Sequence, residues 1–126
     1  MSSTVERKLA AIMCTDIANF TSIASQDESE ALRLLESQRK IIVPIIKSYN
    51  GILHKELGDG LLITFNLTSE AVECGIKIQK TLIDIEKLNL RIGIHEGEIS
   101  IKDEDVLGDD INLAFRIEPF SAIGGI

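Results

Sequence analysis

Two aspartates stand where strands are expected to end. Asp16 follows the apolar run 9–14, and Asp59 sits within Gly58-Asp59-Gly60 between two further apolar runs. If neighbouring strands carry them, the two carboxylates can face one point. Two hard oxygen ligands, completed by phosphate oxygens and water, suit Mg²⁺. A pair of such ions could activate a hydroxyl and stabilise a departing phosphate oxygen. Each aspartate also has an ordinary reading, as a cap after a strand for Asp16 and as a turn residue for Asp59.

Other residues could serve a phosphate or a sugar. The stretch Ile17-Ala18-Asn19-Phe20-Thr21 enters a helix, whose first N–H groups can cradle phosphate. Asn19 tolerates the left-handed backbone that such loops use. Asn112 and Arg116, spaced i and i+4, share a face of the last expected helix, where an amide and a guanidinium can hold a ribose and a phosphate gaining charge. A solvated helix face is the plainer account of the same spacing. Lys55 precedes the Gly-Asp-Gly turn on a strand whose facing is open. His54 and His95 lack partners at ligand spacing and read as structural.

The elements that must position these residues follow from the apolar pattern. The run 9–14 is a buried strand. Asp27 with Glu30 forms a capping-box start for a long amphipathic helix through Ala31, Leu34, Leu35, Ile41, Ile42, Ile45 and Ile46, with a bend expected near Pro44 and an end at Asn50-Gly51. Runs 52–57 and 61–65 flank the Gly-Asp-Gly turn as a hairpin. A second helix is expected to bury Val72, Ile76, Gln79, Leu82 and Ile83 on one face. Runs 90–95 and 98–101 predict another strand pair, and Asp109 or Asp110 would cap a last helix through Ala114, Ile117 and Phe120. This order predicts an α+β domain with a mainly antiparallel sheet and helices packed on one face of it.

Composition bounds the functions. The chain has 126 residues, 44% hydrophobic and 26% charged, which suits one globular domain rather than a disordered segment. A net charge of −7 disfavours a nucleic-acid partner. Cys14 and Cys74 are far apart, lie in apolar surroundings and read as buried reduced thiols. No run approaches the length of a membrane span, and the short apolar stretch after Arg7-Lys8 is cut off by Asp16. The expected setting is cytoplasmic, without direct membrane contact.

Taken together, four segments carry a resemblance. LAAIMCTDIANFT (9–21) resembles the opening strand and loop of the class III adenylate and guanylate cyclases; KELGDG (55–60) resembles their second metal motif. LRIGIHEG (90–97) is similar to the next signature strand, and DVLGDDINLAFR (105–116) to the transition-state segment. The four occur in family order. The resemblance implies the ferredoxin-like, palm-like core of those enzymes and conversion of ATP to 3′,5′-cyclic AMP and pyrophosphate.

Roles follow residue by residue as implications of that likeness. Asp16 and Asp59, with the Ile17 carbonyl, would hold two divalent ions, Mg²⁺ or Mn²⁺. Lys55 and Asp105 fall on the base-selecting positions, where Lys/Asp goes with ATP and Glu/Cys with GTP. A lysine can donate to adenine N1, and a carboxylate can accept from the 6-amino group. Asn112 would orient the ribose, Arg116 would stabilise charge on the α-phosphate, and Arg91 would contact the terminal phosphates. Asn19, Phe20 and Thr21 belong to the phosphate loop, with Asn19 where the family usually has glycine. The family builds its site between two catalytic domains, so a homodimer of this chain could form two equivalent sites. Such domains continue past the last motif helix with further strands, a dimerisation arm and a triphosphate lysine. The chain, ending at Ile126, is expected to lack these, which leaves its own turnover open. A guanylate cyclase is disfavoured by Lys55 and Asp105. A silent nucleotide-sensing or partner-binding module is disfavoured by retention of Asp16, Asp59, Asn112 and Arg116. A GGDEF-type diguanylate cyclase lacks its signature here.

Overall fold

A computed structural model describes residues 5–103 and 105–126. The chain builds β1 (Glu6–Ile17), α1 (Phe20–Gln26), α2 (Glu28–Ser48), β2 (Ile52–Leu57), β3 (Gly60–Phe65), α3 (Thr68–Leu82), β4 (Leu90–Lys102), β5 (Asp105–Leu107) and α4 (Asp109–Ile117), followed by a 3₁₀ turn, Glu118–Phe120. The sheet is antiparallel in every pairing, with order β2-β3-β1-β4-β5. This is the expected α+β class. Among the described residues, no helix is long and apolar enough to cross a membrane.

The central strand explains the layering. Residues Ala10 to Thr15 of β1 are all at most 2% exposed, so both faces are covered. Ala11, Met13 and Ile17 pack with Leu34, Ile42 and Ile46 of α2 and with Ala71, Cys74 and Ile78 of α3. Ala10, Ile12 and Cys14 pack on the opposite face with Ile111 and Ala114 of α4. Helices on one face only was the wrong expectation. The unbroken apolar run of β1, rather than an alternating one, is the mark of a strand covered on both sides. Cys14 and Cys74 are both buried, and burial pushes the Cys14 thiol up to about 12 and the Cys74 thiol to about 11.

Local chemistry sets most boundaries. The Asp27 side chain accepts the Glu30 N–H at 3.1 Å and starts α2, a cap that contributes about 1 kcal/mol. The helix runs through Pro44, which cannot donate to the Lys40 carbonyl, and ends before Asn50, whose φ is 64°.

Two expected elements differ. The buried face of α3 is Ala71, Cys74, Gly75, Ile78 and Leu82, whereas Val72, Ile76 and Ile83 are exposed. Small residues let this helix lie close to the sheet: a Cβ on Gly75 would come within 2.9 Å of Ile126 and 3.6 Å of Met13. Residues 90–101 form no hairpin. They are one strand running through Gly97, and the partner of its far end is β5.

Candidate active site

The β2–β3 turn returns beside the end of β1 because β3 pairs with β1, Leu61 opposite Thr15. Asp59 lies in that turn, and its Oδ2 accepts the Ile17 N–H at 2.9 Å. Asp16 and Asp59 are thereby brought to one place. The turn is steadied from below by the buried Gln38, whose Nε2 donates to the Asp59 carbonyl at 3.3 Å.

Arg91 stands opposite Asp16 across the β1–β4 pairing, with Nη1 3.8 Å from Asp16 Oδ1. A third carboxylate comes from the 3₁₀ turn. Glu118 is 4% exposed, and the turn reaches the strand because residue 93 is glycine: a Cβ there would lie 2.6 Å from Glu118 Cα. Burial, then the neighbouring Asp16 carboxylate, pushes the Glu118 carboxyl up to about 7, with Asp59 adding and Arg91 opposing. Asp16 Oδ1 and Glu118 Oε2 are buried without a hydrogen-bond partner among the described residues. Once Glu118 is deprotonated it has no proton to offer the Asp16 oxygen.

This donor set fits a divalent cation. A buried, unpartnered carboxylate oxygen at Asp16, beside a second carboxylate at Asp59, is an acceptor-rich corner that a hard cation would satisfy. Among the described residues no group of three or more His, Cys, Asp or Glu forms a closed metal cage, so further ligands would come from substrate and water.

The loop after β1 is left-handed at Asn19, with φ 63° and ψ 18°. Asparagine meets there the backbone demand that glycine meets without strain. Phe20 opens α1 and packs its ring against the core, Thr21 is exposed, and the Ala18 N–H is taken by the Asn89 carbonyl at 2.7 Å.

Lys55 and Asp105 meet in a second place. Lys55 Nζ lies 2.7 Å from Asp105 Oδ1, and the Val106 N–H donates to the same oxygen at 2.9 Å. The lysine, then this N–H, holds the Asp105 carboxyl below the usual carboxylate range. Lys55 also lines a cleft of about 280 Å³, with Leu57, Leu62, Ile111, Asn112 and Val106, the residue after Asp105, among others. A larger cleft, about 470 Å³, lies along α2 at Arg33 and Arg39, but both arginines are paired with glutamates and none of the candidate residues line it.

The last helix is seated by an aspartate that does not cap it. Asp110 Oδ1 is 2.8 Å from His95 Nε2, and Oδ2 accepts the Glu98 N–H at 2.9 Å. A Cβ at Gly97 would overlap the Asp110 carboxyl, which is why β4 carries glycine there. The N-cap is Gly108, at φ 146°. Asn112 and Arg116 then lie on the exposed part of α4, Asn112 on the cleft.

The structure thus gathers Asp16, Ile17, Asp59 and Arg91 at one point, and Lys55, Asp105 and Asn112 at another. Neither Asp16 nor Asp59 lines the second cleft. Two residues were missed from sequence. Glu118 continues the buried stripe Ile111–Ala114 of α4, and Gln38 interrupts the buried stripe Leu34–Ile42 of α2. A polar residue in register with an apolar stripe was the available signal.

Comparison with known proteins gives the family. The profile of the adenylate and guanylate cyclase catalytic domain matches residues 5–126. The chain belongs to this family, the class III nucleotidyl cyclase catalytic domains. It is 30% identical over 130 residues to the putative adenylate cyclase 3 of Rhizobium meliloti, covering 97% of this chain and 22% of that protein. Among solved structures, it superposes on the adenylate/guanylate cyclase/hydrolase from Silicibacter pomeroyi with a TM-score of 0.87 at 32% identity, covering 96% of this chain and 75% of that one. For the adenylyl cyclase CyaB from P. aeruginosa the TM-score is 0.83 at 27% identity, covering 96% and 76%.

Proposed function

We propose that this domain is an adenylate cyclase catalytic unit, forming 3′,5′-cyclic AMP and pyrophosphate from ATP. The observation that carries the reading is the Lys55–Asp105 juxtaposition, an acceptor beside the donor that lines a cleft, matching the 6-amino donor and N1 acceptor of adenine. Guanine presents the opposite pattern, N1–H and O6.

In the reaction, the ribose 3′-oxygen forms a bond to the α-phosphorus as the bond to the bridging α–β oxygen breaks. Pyrophosphate leaves with that electron pair, and the 3′-hydroxyl proton is lost to solvent. Asp16 and Asp59, with the Ile17 carbonyl, would hold two Mg²⁺ or Mn²⁺ ions, which when bound supply the positive charge that acidifies the hydroxyl and steadies the leaving oxygen. Lys55 and Asp105 hold the base, and Asn112 orients the ribose. Arg116 faces the charge that grows on the α-phosphate, and Arg91 the terminal phosphates. The loop at Asn19, Phe20 and Thr21 offers the first N–H groups of α1 to phosphate. Catalysis of this kind is mostly positioning and electrostatics. The separation of the two residue groups supports a site shared by two copies, one giving the aspartates and the other Lys55, Asp105, Asn112 and Arg116.

The test is product analysis on the whole protein with ATP or GTP and Mn²⁺. Cyclic AMP and pyrophosphate in equal amounts are expected. Cyclic GMP as the main product would reassign the substrate, and no cyclic nucleotide at high protein concentration would overturn the reading.

A further inference from the structure

Lys55 reaches Asp105 only because β2 breaks its alternation. Ile52 pairs with Thr64 and Leu53 with Ile63, but it is Lys55, not His54, that pairs with Leu62. His54 is the extra residue of a β-bulge. Ile63 and Leu53 belong to the face covered by α2 and α3, whereas Leu62 belongs to the face covered by α4. In an unbroken register Lys55 would share the face of Leu53, because side chains repeat every second residue. The bulge turns Lys55 onto the α4 face, where Asp105 stands, and Glu56 onto the α2 face, where it meets Arg39 at 2.9 Å.

A bulge leaves the ladder locally broken and needs compensation. Here the extra residue supplies it: His54 Nε2 and Thr64 Oγ1 are 2.6 Å apart, and Thr64 is 2% exposed. The hydroxyl comes from the neighbouring strand, one residue from Ile63 on the side away from the register shift, where Thr64 pairs with Ile52.

We propose that His54 and Thr64 are a positioning pair for purine selection, their hydrogen bond fixing the bulge that aims Lys55 at the nucleotide base. This rests on the reading of Lys55 and Asp105 as base contacts. The pair touches no substrate atom; it acts through Lys55.

The experiment compares wild type, Thr64→Val and Thr64→Ser in the whole protein. Valine keeps the shape and removes the hydroxyl, and serine keeps the hydroxyl. The probes are 3′-deoxy-ATP and 3′-deoxy-GTP, which cannot cyclise, and inorganic triphosphate, each titrated by calorimetry. Thr64→Val is expected to lose about tenfold of the preference for the adenine nucleotide, a change of about 1.4 kcal/mol. Its affinity for triphosphate should be unchanged, and Thr64→Ser should retain the preference. In a Lys55→Ala background the valine should cost nothing further. A Thr64→Val protein that keeps the preference, or weakens triphosphate as much as 3′-deoxy-ATP, overturns the proposal. If Thr64→Val shows no melting transition, His54→Ala gives the same readout at an edge-strand position. A wild type that does not prefer the adenine nucleotide removes the base-contact reading itself, and the positioning role with it.

Discussion

Lys55 and Asp105 belong to opposite edge strands of the five-stranded sheet, and their charged ends lie 2.7 Å apart. Three strands separate β2 from β5 in the sheet order, so the sheet curls over α4 to bring its edges together. The cluster of Ile12, Cys14, Leu62, Ile99, Val106, Ile111 and Ala114 fills the space inside that curl. The pair itself is partly exposed, and such pairs contribute about 0–1 kcal/mol. A ligand that meets both groups has little to displace.

Exchange of the pair should therefore redirect the substrate at small cost to the fold. Lys55→Glu with Asp105→Cys removes the adenine pattern and presents an acceptor to guanine N1–H. The ratio of kcat/KM for ATP over GTP is expected to fall at least about tenfold, or about 1.4 kcal/mol of differential binding. The melting temperature should move by only a few degrees. Steady-state rates with both nucleotides check this, and an unchanged ratio would mean that another contact selects the purine.

The two aspartates should separate activity from stability. Asp16→Ala removes a carboxylate whose Oδ1 has no hydrogen-bond partner among the described residues and only a long, partly exposed ion pair with Arg91, so the metal-free fold should lose at most about 1 kcal/mol. Asp59→Ala removes the acceptor of the Ile17 N–H and should cost about 1 kcal/mol. Both are expected to abolish turnover, and both should lose the rise in melting temperature that Mn²⁺ gives the wild type. A variant still stabilised by Mn²⁺ to the wild-type extent would remove its aspartate from the metal assignment.

Much of this was legible in the sequence where the cause is local. Gly58-Asp59-Gly60 announces its hairpin, Asp27 and Glu30 announce the start of α2, and Asn19 takes the left-handed backbone that its side chain tolerates. The parts that were not legible have tertiary causes. Gly97 looks like a turn residue, but it is glycine because the Asp110 carboxyl needs its space. Val72 and Ile76 look like core, but Ala71, Cys74 and Gly75 are buried because a close helix–sheet approach favours small residues over large ones. The facing of Lys55 depends on one inserted residue, which binary patterning does not encode. The acid at Glu118 is buried because the last motif helix runs on into a 3₁₀ turn seated on Gly93.

The seat of α4 gives a further test. Asp110→Ala deletes the bonds to His95 and to the Glu98 N–H, so the helix carrying Asn112 and Arg116 loses its registration on β4. About 1–3 kcal/mol of stability and a fall in kcat larger than any change in KM are expected. Asp110→Asn keeps an acceptor for the Glu98 N–H and should recover most of the kcat. Equal loss in both variants would mean that the charge of Asp110, rather than the seating of the helix, is what matters.

Glu118 makes the metal-free domain sensitive to pH. Its folded carboxyl titrates near 7, above the ordinary value of 4.5, chiefly because it is buried and next because Asp16 is beside it. A raised carboxyl contributes stability that is fully present below the ordinary value and is lost as pH climbs through the folded one. The loss therefore falls between about pH 4.5 and 7. Glu118→Gln cannot ionise, and its amide can donate to Asp16 as a protonated Glu118 would. In EDTA, the glutamine variant should melt a few degrees above wild type at pH 8 and no higher than wild type at pH 5. A gap of the same size at both pH values would show that the side chain's shape, not its charge, sets the difference. A gap that closes on adding Mn²⁺ at pH 8 would tie the buried charge to the corner where Asp16 and Asp59 meet.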